Sequence, residues 1–267
     1  MPAVLTPQLK EIKELLDLEV DRINRLSFID KDPVQFPRRF ETLQDIEIVS
    51  FLSATIAWGN RKMICSNIEK LLALMDHNPY QYVMDEGYND LDPELNIHRT
   101  FFASHLKHFL KGLRRIYKDY GSLDNFSASN NVGRTQFPAW ELVTMINRIL
   151  KDENGVECSR CLPLNIDNSA LKRVNMALRW LVRDDGIVDM GVWKSIPKRS
   201  LYIPLDVHVG NISREFGLLQ RKQNDKKSVL QLTSILKEFK PEDPVIYDFA
   251  LFGIGINRKE EMKGSDF

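Results

Sequence analysis

No run of about 18 apolar residues occurs in the sequence, so a membrane-spanning helix is not expected. Cysteine is scarce, with three residues in a chain of 267. Cys158 and Cys161 stand in a C-x-x-C spacing, but a zinc site needs two more ligands, and Cys65 lies far upstream on a helical segment. A redox role for the pair has no βαβ pattern around it. His105 and His108 are three residues apart with no second matching pair, so loop cysteines and surface histidines are the simpler reading and no metal is expected. Glycine-rich phosphate loops of either common form are absent, as is the G-x-S-x-G elbow of serine hydrolases. "FGIGIN" has two glycines but follows a helix rather than a strand. Excess charge is lacking as well: Lys plus Arg and Asp plus Glu each number 37. This excludes a chain coated in basic charge but leaves room for a local basic patch. The opening "MPAVLTPQLKEIKELLDLEV" reads as a charged amphipathic helix without the basic start and apolar core of a secretory signal, which makes the cytoplasm the expected compartment.

What the sequence does have is helical periodicity, while strand-like alternation is rare. "DIEIVSFLSATIAWG" and "RKMICSNIEKLLALM" predict a tight helical hairpin around Trp58-Gly59-Asn60-Arg61, with Ile46, Val49, Phe51, Leu52 and Ile56 largely on one face. "FASHLKHFLKGLRRIYKDYG" predicts a helix stopped by Gly121, and "AWELVTMINRIL", "SALKRVNMALRWLVR" and "PVIYDFALFGIG" predict three more. "SASNNVGRTQFP" and "KDENGVECSRCLPLNIDN" read as connections. The expected fold is all-α and multi-helical.

Two segments carry the candidate chemistry. In the helix over 169–183, Leu171, Val174, Ala177, Leu178 and Leu181 form an apolar stripe. Lys172, Asn175, Arg179 and Arg183 lie on another face beside Met176. That face is either solvated or the basic wall of a cleft. Residues 160–222 hold eleven Lys or Arg against six Asp or Glu, the local bias that a phosphate-binding surface needs. In "YIPLDVHVGNISREFGLL", Val209, Ile212 and Phe216 recur at helical spacing, so Asp206 falls at the N-cap, where its carboxylate contributes roughly 1 kcal/mol. His208, two residues on, belongs to the first turn.

The segment "IPLDVHVGNISREFGLL" resembles the stretch after the hairpin in the helix-hairpin-helix DNA glycosylase superfamily. There a Pro-x-Asp-x-His-like sequence opens a helix and supplies the catalytic aspartate, which maps to Asp206. "DIEIVSFLSATIAWGNRKMICSNIEKLL" resembles the early helix pair of that fold, and "LKGLRRIYKDYGSLDNF" and "DPVIYDFALFGIG" resemble its later helices, so the likeness runs from about residue 40 to 257. The whole pattern, including "LRWLVRDDGIVDMGVW", is also similar to a bacterial family of unassigned function placed in that superfamily.

The chain departs from the superfamily in its hairpin, whose leucine-proline-glycine-x-glycine signature is missing. Where bifunctional members carry the catalytic lysine, the nearest residue is Ile187. Lys172 lies 34 residues before Asp206, a placement similar to the archaeal 8-oxoguanine glycosylase branch. The superfamily's iron–sulfur cluster needs four closely spaced cysteines, which this chain lacks.

The resemblance implies a metal-free glycosylase and AP lyase that acts on a damaged base in DNA, an oxidised purine being one candidate. Lys172 is the expected nucleophile, with Lys194 and Lys198 as fallbacks, and Asp206 is its catalytic partner across a cleft. Trp58, Met176 and His208 are pocket candidates. Asn60, Arg61, Arg179, Arg183, Lys194, Lys198 and Arg199 are expected DNA contacts, and Arg179 and Arg183 would also help Lys172 shed its proton. The expected organisation is one module of two lobes, residues 45–185 and residues 1–44 with 186–267. A non-catalytic nucleic-acid-binding protein that keeps the fold is the alternative, and a helical protein–protein scaffold is a weaker one.

Overall fold

The computed structural model describes residues 5–264. Twelve α-helices account for most of them: α1 (Pro7–Ile23), α2 (Leu26–Ile29), α3 (Leu43–Thr55), α4 (Arg61–Leu74), α5 (Pro79–Met84), α6 (Ala103–Tyr120), α7 (Leu123–Ser129), α8 (Pro138–Asn154), α9 (Lys172–Val182), α10 (Val207–Glu215), α11 (Lys226–Phe239) and α12 (Tyr247–Gly264). Among the described residues the only sheet is the short antiparallel pair β1 (Asn96–His98) and β2 (Phe101–Phe102). The protein is therefore all-α apart from this ribbon. None of the described helices is long and apolar enough to cross a membrane.

Local sequence explains most helix ends. Thr6, Thr42, Asn60, Ser122, Asp206 and Asp225 are N-caps whose side chains accept a backbone N–H from the first turn. Gly121 ends α6 in the left-handed region at φ 77°, which a residue with a Cβ adopts at a steric cost. Gly217 does the same at φ 70°, one residue beyond the cap of α10.

Helix α3 is central. Its residues from Ile46 to Thr55 are all buried, so the single apolar face expected for it is replaced by burial all round. It packs mainly on α9, then on the turn at Pro37–Arg39 and on α5, whereas α4 packs on β1 and on the turn at Pro33–Gln35. The tight hairpin expected here is thus a short turn between helices with different principal neighbours. Glu47, fully buried on α3, accepts from the backbone N–H groups of Leu123 (2.8 Å) and Asp124 (2.9 Å) at the start of α7.

Elsewhere α6 packs on α8, while α12 packs on both α1 and α10. A contiguous apolar core joins these groups, from Leu16 on α1 to Leu251 on α12. Gly255 permits the approach of α10, since a Cβ there would lie 3.0 Å from Cβ of His208. The framework thereby sets the start of α10 against the middle of α12, while Arg179 of α9 reaches Asp248 at the start of α12.

Candidate active site

Lys172 is the first residue of α9 and follows a backbone anomaly. Leu171 adopts φ 50°, a left-handed conformation that costs an L-residue roughly 1 kcal/mol. Burial of its side chain, a bond from its N–H to Ser169 Oγ (3.2 Å) and one from Asn175 Nδ2 to Ala170 O (3.0 Å) hold the bend in place. The half-buried Lys172 emerges from this bend with Nζ 3.6 Å from Met176 Sδ, its neighbour one helical turn on.

Asp206 is the N-cap of α10, as its sequence position requires. Its Oδ1 accepts the N–H of Val209 at 3.0 Å, and its backbone carbonyl accepts Asn224 Nδ2 at 2.9 Å. The carboxylate is half-buried at the positive end of the helix, where the first-turn N–H groups favour negative charge.

Both residues act electrostatically on a third that sequence reasoning missed. Asp248, buried on the second position of α12, feels both charges. Burial raises its pKa to about 6, Arg179 opposes that rise, nearby Asp206 adds to it, and Lys172 lowers it. Lys172, Asp206 and Asp248 therefore share one neighbourhood. Phe252 lies one turn beyond Asp248, on the same side of α12. The His208 ring meets Phe252 edge-on with centroids 6.2 Å apart, and the Arg61 guanidinium lies 5.6 Å from the Phe252 centroid. Arg61 also stands 3.9 Å from Asp32, a distance too long for a strong pair.

Arg179 and Arg183 are neither a solvated face nor a phosphate-binding wall. They are 4% and 1% exposed, and their charges are taken up internally. Arg179 binds Asp189 (3.2 Å) and Asp248. Arg183 binds Asp243 through Nε (2.8 Å) and Nη2 (3.0 Å), and also Asp185 (3.2 Å) and Asp189. Burial alone would depress the pKa of Arg183, but these carboxylates outweigh it and raise it. The expectation that the two arginines contact DNA and help deprotonate Lys172 is corrected on this ground: four carboxylates already neutralise them. Their structural effect is to tie α9 to α12 and to the loop between α9 and α10.

The remaining candidates divide. Lys194 is exposed, with Nζ 2.8 Å from Gly191 O. Lys198 pairs with Asp184 at 2.9 Å, and Arg199 stands 3.8 Å from Glu242. Exposed Asn60 caps α4 by accepting the Met63 N–H at 3.2 Å. Trp58 lines a different depression, with Arg160 and Arg173, rather than the neighbourhood of Lys172. The buried Cys161 Sγ lies 3.5 Å from His105 O, and His108 Nε2 bonds Val156 O at 2.8 Å, so both anchor the 155–171 connection to α6. Among the described residues no group of three or more His, Cys, Asp or Glu is placed to hold a metal ion.

An amine and a capping carboxylate that both act on a buried carboxylate, near a partly exposed ring and a guanidinium, have the parts of a covalent site. One carboxylate can take the ammonium proton, the amine can then act as nucleophile, and the other carboxylate can stabilise positive charge that develops on a substrate. The profile of a family described as "Protein of unknown function (DUF2400)" matches residues 32–257. No curated protein and no solved structure matches the chain.

Proposed function

For a chain that belongs to the family described as "Protein of unknown function (DUF2400)", activity must be argued from the site, and we propose a DNA base-excision glycosylase and AP lyase that acts through a Schiff base on Lys172. One observation carries this reading: an amine, Lys172, and a helix-capping carboxylate, Asp206, converge on a buried acid, Asp248. The likeness of the 202–219 segment to helix-hairpin-helix glycosylases supports the choice of DNA as substrate.

A base in a duplex is shielded by stacking, so the nucleotide must be extruded, most cheaply when it is damaged. Phe252, half-buried between Arg61 and His208, offers the extruded base an aromatic surface. Asp248, which burial raises to a pKa of about 6, is mostly ionised at neutral pH and is the acceptor for the proton that Lys172 sheds before it attacks. The freed amine attacks C1′ of the sugar. The bond from C1′ to the base nitrogen breaks, and the base leaves with the bonding electrons and then acquires a proton. Asp206, fixed at its helix end by the Val209 N–H, stabilises the positive charge that develops at C1′. Ring opening gives the protonated Schiff base, loss of a C2′ proton expels the 3′ phosphate, and water hydrolyses the imine to regenerate Lys172. Lys194, with Arg61 and Asn60 at the turn before α4, is the remaining backbone-contact candidate. Lys198 and Arg199 would have to leave their exposed acidic partners to join them.

The test is base release and strand incision on duplexes carrying 8-oxoguanine, uracil or an abasic site, under single-turnover conditions. The wild-type protein is expected to process at least one of them, and Lys172→Ala none. Wild-type protein inert on all three, or Lys172→Ala as active as wild type, would remove the proposal.

A further inference from the structure

Helix α9 carries Arg173 and Arg179 and is capped by Arg183, and the three arginines are treated very differently. Arg179 and Arg183 are saturated with carboxylates. Arg173 is largely withdrawn from solvent, yet among the described residues it forms no ion pair with any carboxylate. Its Nη1 instead donates to two carbonyls, Thr55 O (2.9 Å) and Arg160 O (3.4 Å), which fix the guanidinium without neutralising it. Burial lowers its pKa, and the second guanidinium of Arg160 nearby lowers it further. The Cys161 thiol beside it supplies no counter-charge, because burial pushes its pKa well above the ordinary thiol value. Arg160 likewise forms no ion pair among the described residues. Two uncompensated guanidiniums held together make an arrangement that an anion stabilises.

They line a depression of about 340 Å³ with Trp58, Thr100, Phe101 and Ser159. That volume lies in the range of small-ligand sites. The depression has an aromatic surface as well as charge. The Trp58 ring is braced edge-on by His98 at 4.7 Å, and His98 is itself fixed through Asn67 (2.9 Å) and the Trp58 carbonyl (3.0 Å). The Arg173 guanidinium stands 5.6 Å from the Trp58 centroid, so cationic and aromatic surfaces adjoin.

We propose that this depression binds one nucleotide unit, with its base against Trp58, its phosphate between Arg160 and Arg173, and the hydroxyls of Ser159 and Thr100 at its rim. The site stands apart from the chemistry at Lys172, since none of Lys172, Asp206 and Asp248 lines it. A free mononucleotide and a nucleotide within a single strand present the same chemistry.

Tryptophan fluorescence reports on the site, because Trp140, Trp180 and Trp193 are buried and Trp58 is partly exposed. The full-length protein would be titrated with deoxyadenosine monophosphate, with adenosine and with single-stranded tetrathymidylate. Quenching is expected with the mononucleotide, the tetranucleotide or both, and should disappear in Trp58→Phe. Affinity should fall about tenfold or more in Arg160→Gln and in Arg173→Met, and adenosine should bind more weakly by a similar factor. Binding of the mononucleotide identifies a free-nucleotide site; binding of the tetranucleotide alone identifies a strand subsite. Arg160 is exposed, so its variant carries the test if Arg173→Met does not fold. The proposal is overturned if neither nucleotide quenches, if Arg160→Gln binds as tightly as wild type, or if adenosine binds as tightly as the nucleotide that quenches.

Discussion

Arg179 donates to the carboxylate of Asp248 across 69 residues of sequence, and this contact joins the helix that begins at Lys172 to the helix that carries Asp248. Helix α10, which Asp206 caps, packs on α12 as well, with His208 against Phe252 and Gly255. The buried arginines act as the frame of the site.

Removing one of them exposes this role. Arg183→Met should destabilise the protein by roughly 3–5 kcal/mol at neutral pH, because Asp189 and Asp243 lose the charge that offsets their burial. The deficit should shrink as pH falls, because burial already raises the pKa of Asp189 and its carboxyl can then take a proton. Urea unfolding of variant and wild type from neutral pH downward checks it. A variant with wild-type stability and weakened DNA binding would instead return Arg183 to the surface role expected from sequence.

Capping and catalysis at Asp206 are separable by substitution. Asp206→Asn keeps an acceptor for the Val209 N–H and should change stability by less than about 0.5 kcal/mol, whereas Asp206→Ala should lose about 1 kcal/mol. Both should lower single-turnover base release by roughly a hundredfold or more. Thermal melts set beside rate constants would show whether the two effects separate.

Stability should decline with rising pH because of Glu47. Burial raises its pKa to about 7, although the Leu123 and Asp124 N–H groups pull it down. An acid with a folded pKa above its unfolded value contributes most when protonated, and this contribution is lost as pH rises toward and through 7. The loss between pH 4 and 8 is on the order of 3 kcal/mol. The stability of wild type minus that of Glu47→Gln should fall over this interval; a constant difference would show that Glu47 titrates normally.

Asp248 predicts a kinetic signature. If it accepts the Lys172 proton, the single-turnover rate should climb on the acid side with a midpoint near 6. Asp248→Asn should lose that limb along with most of the activity. A profile with the same midpoint in the variant would assign the titration elsewhere.

Features set by neighbours in sequence were legible. The Asp206 cap needs only a carboxylate three residues before an N–H, and the apolar stripe of α9 follows from helical spacing. The opposite face of α9 was not legible, because a helical wheel shows which residues share a face and not what packs on it. The partners of Arg183 and Arg179 include acids 60 and 69 residues away. Asp248 was hidden for a related reason: inside "PVIYDFALFGIG" it reads as one polar residue in an apolar helix. Trp58 was expected beside Lys172 but lines a separate depression, and Arg160 and Thr100, which line it too, come from connections distant in sequence.

The most direct test of the central claim is to trap the protein on DNA with borohydride and map the modified residue by mass spectrometry. On a duplex carrying an abasic site or a damaged base, the reduced adduct is predicted on Lys172 and should be absent in Lys172→Ala. An adduct on Lys194 or Lys198, or no adduct on any duplex, would contradict the assignment of Lys172 as the Schiff-base nucleophile.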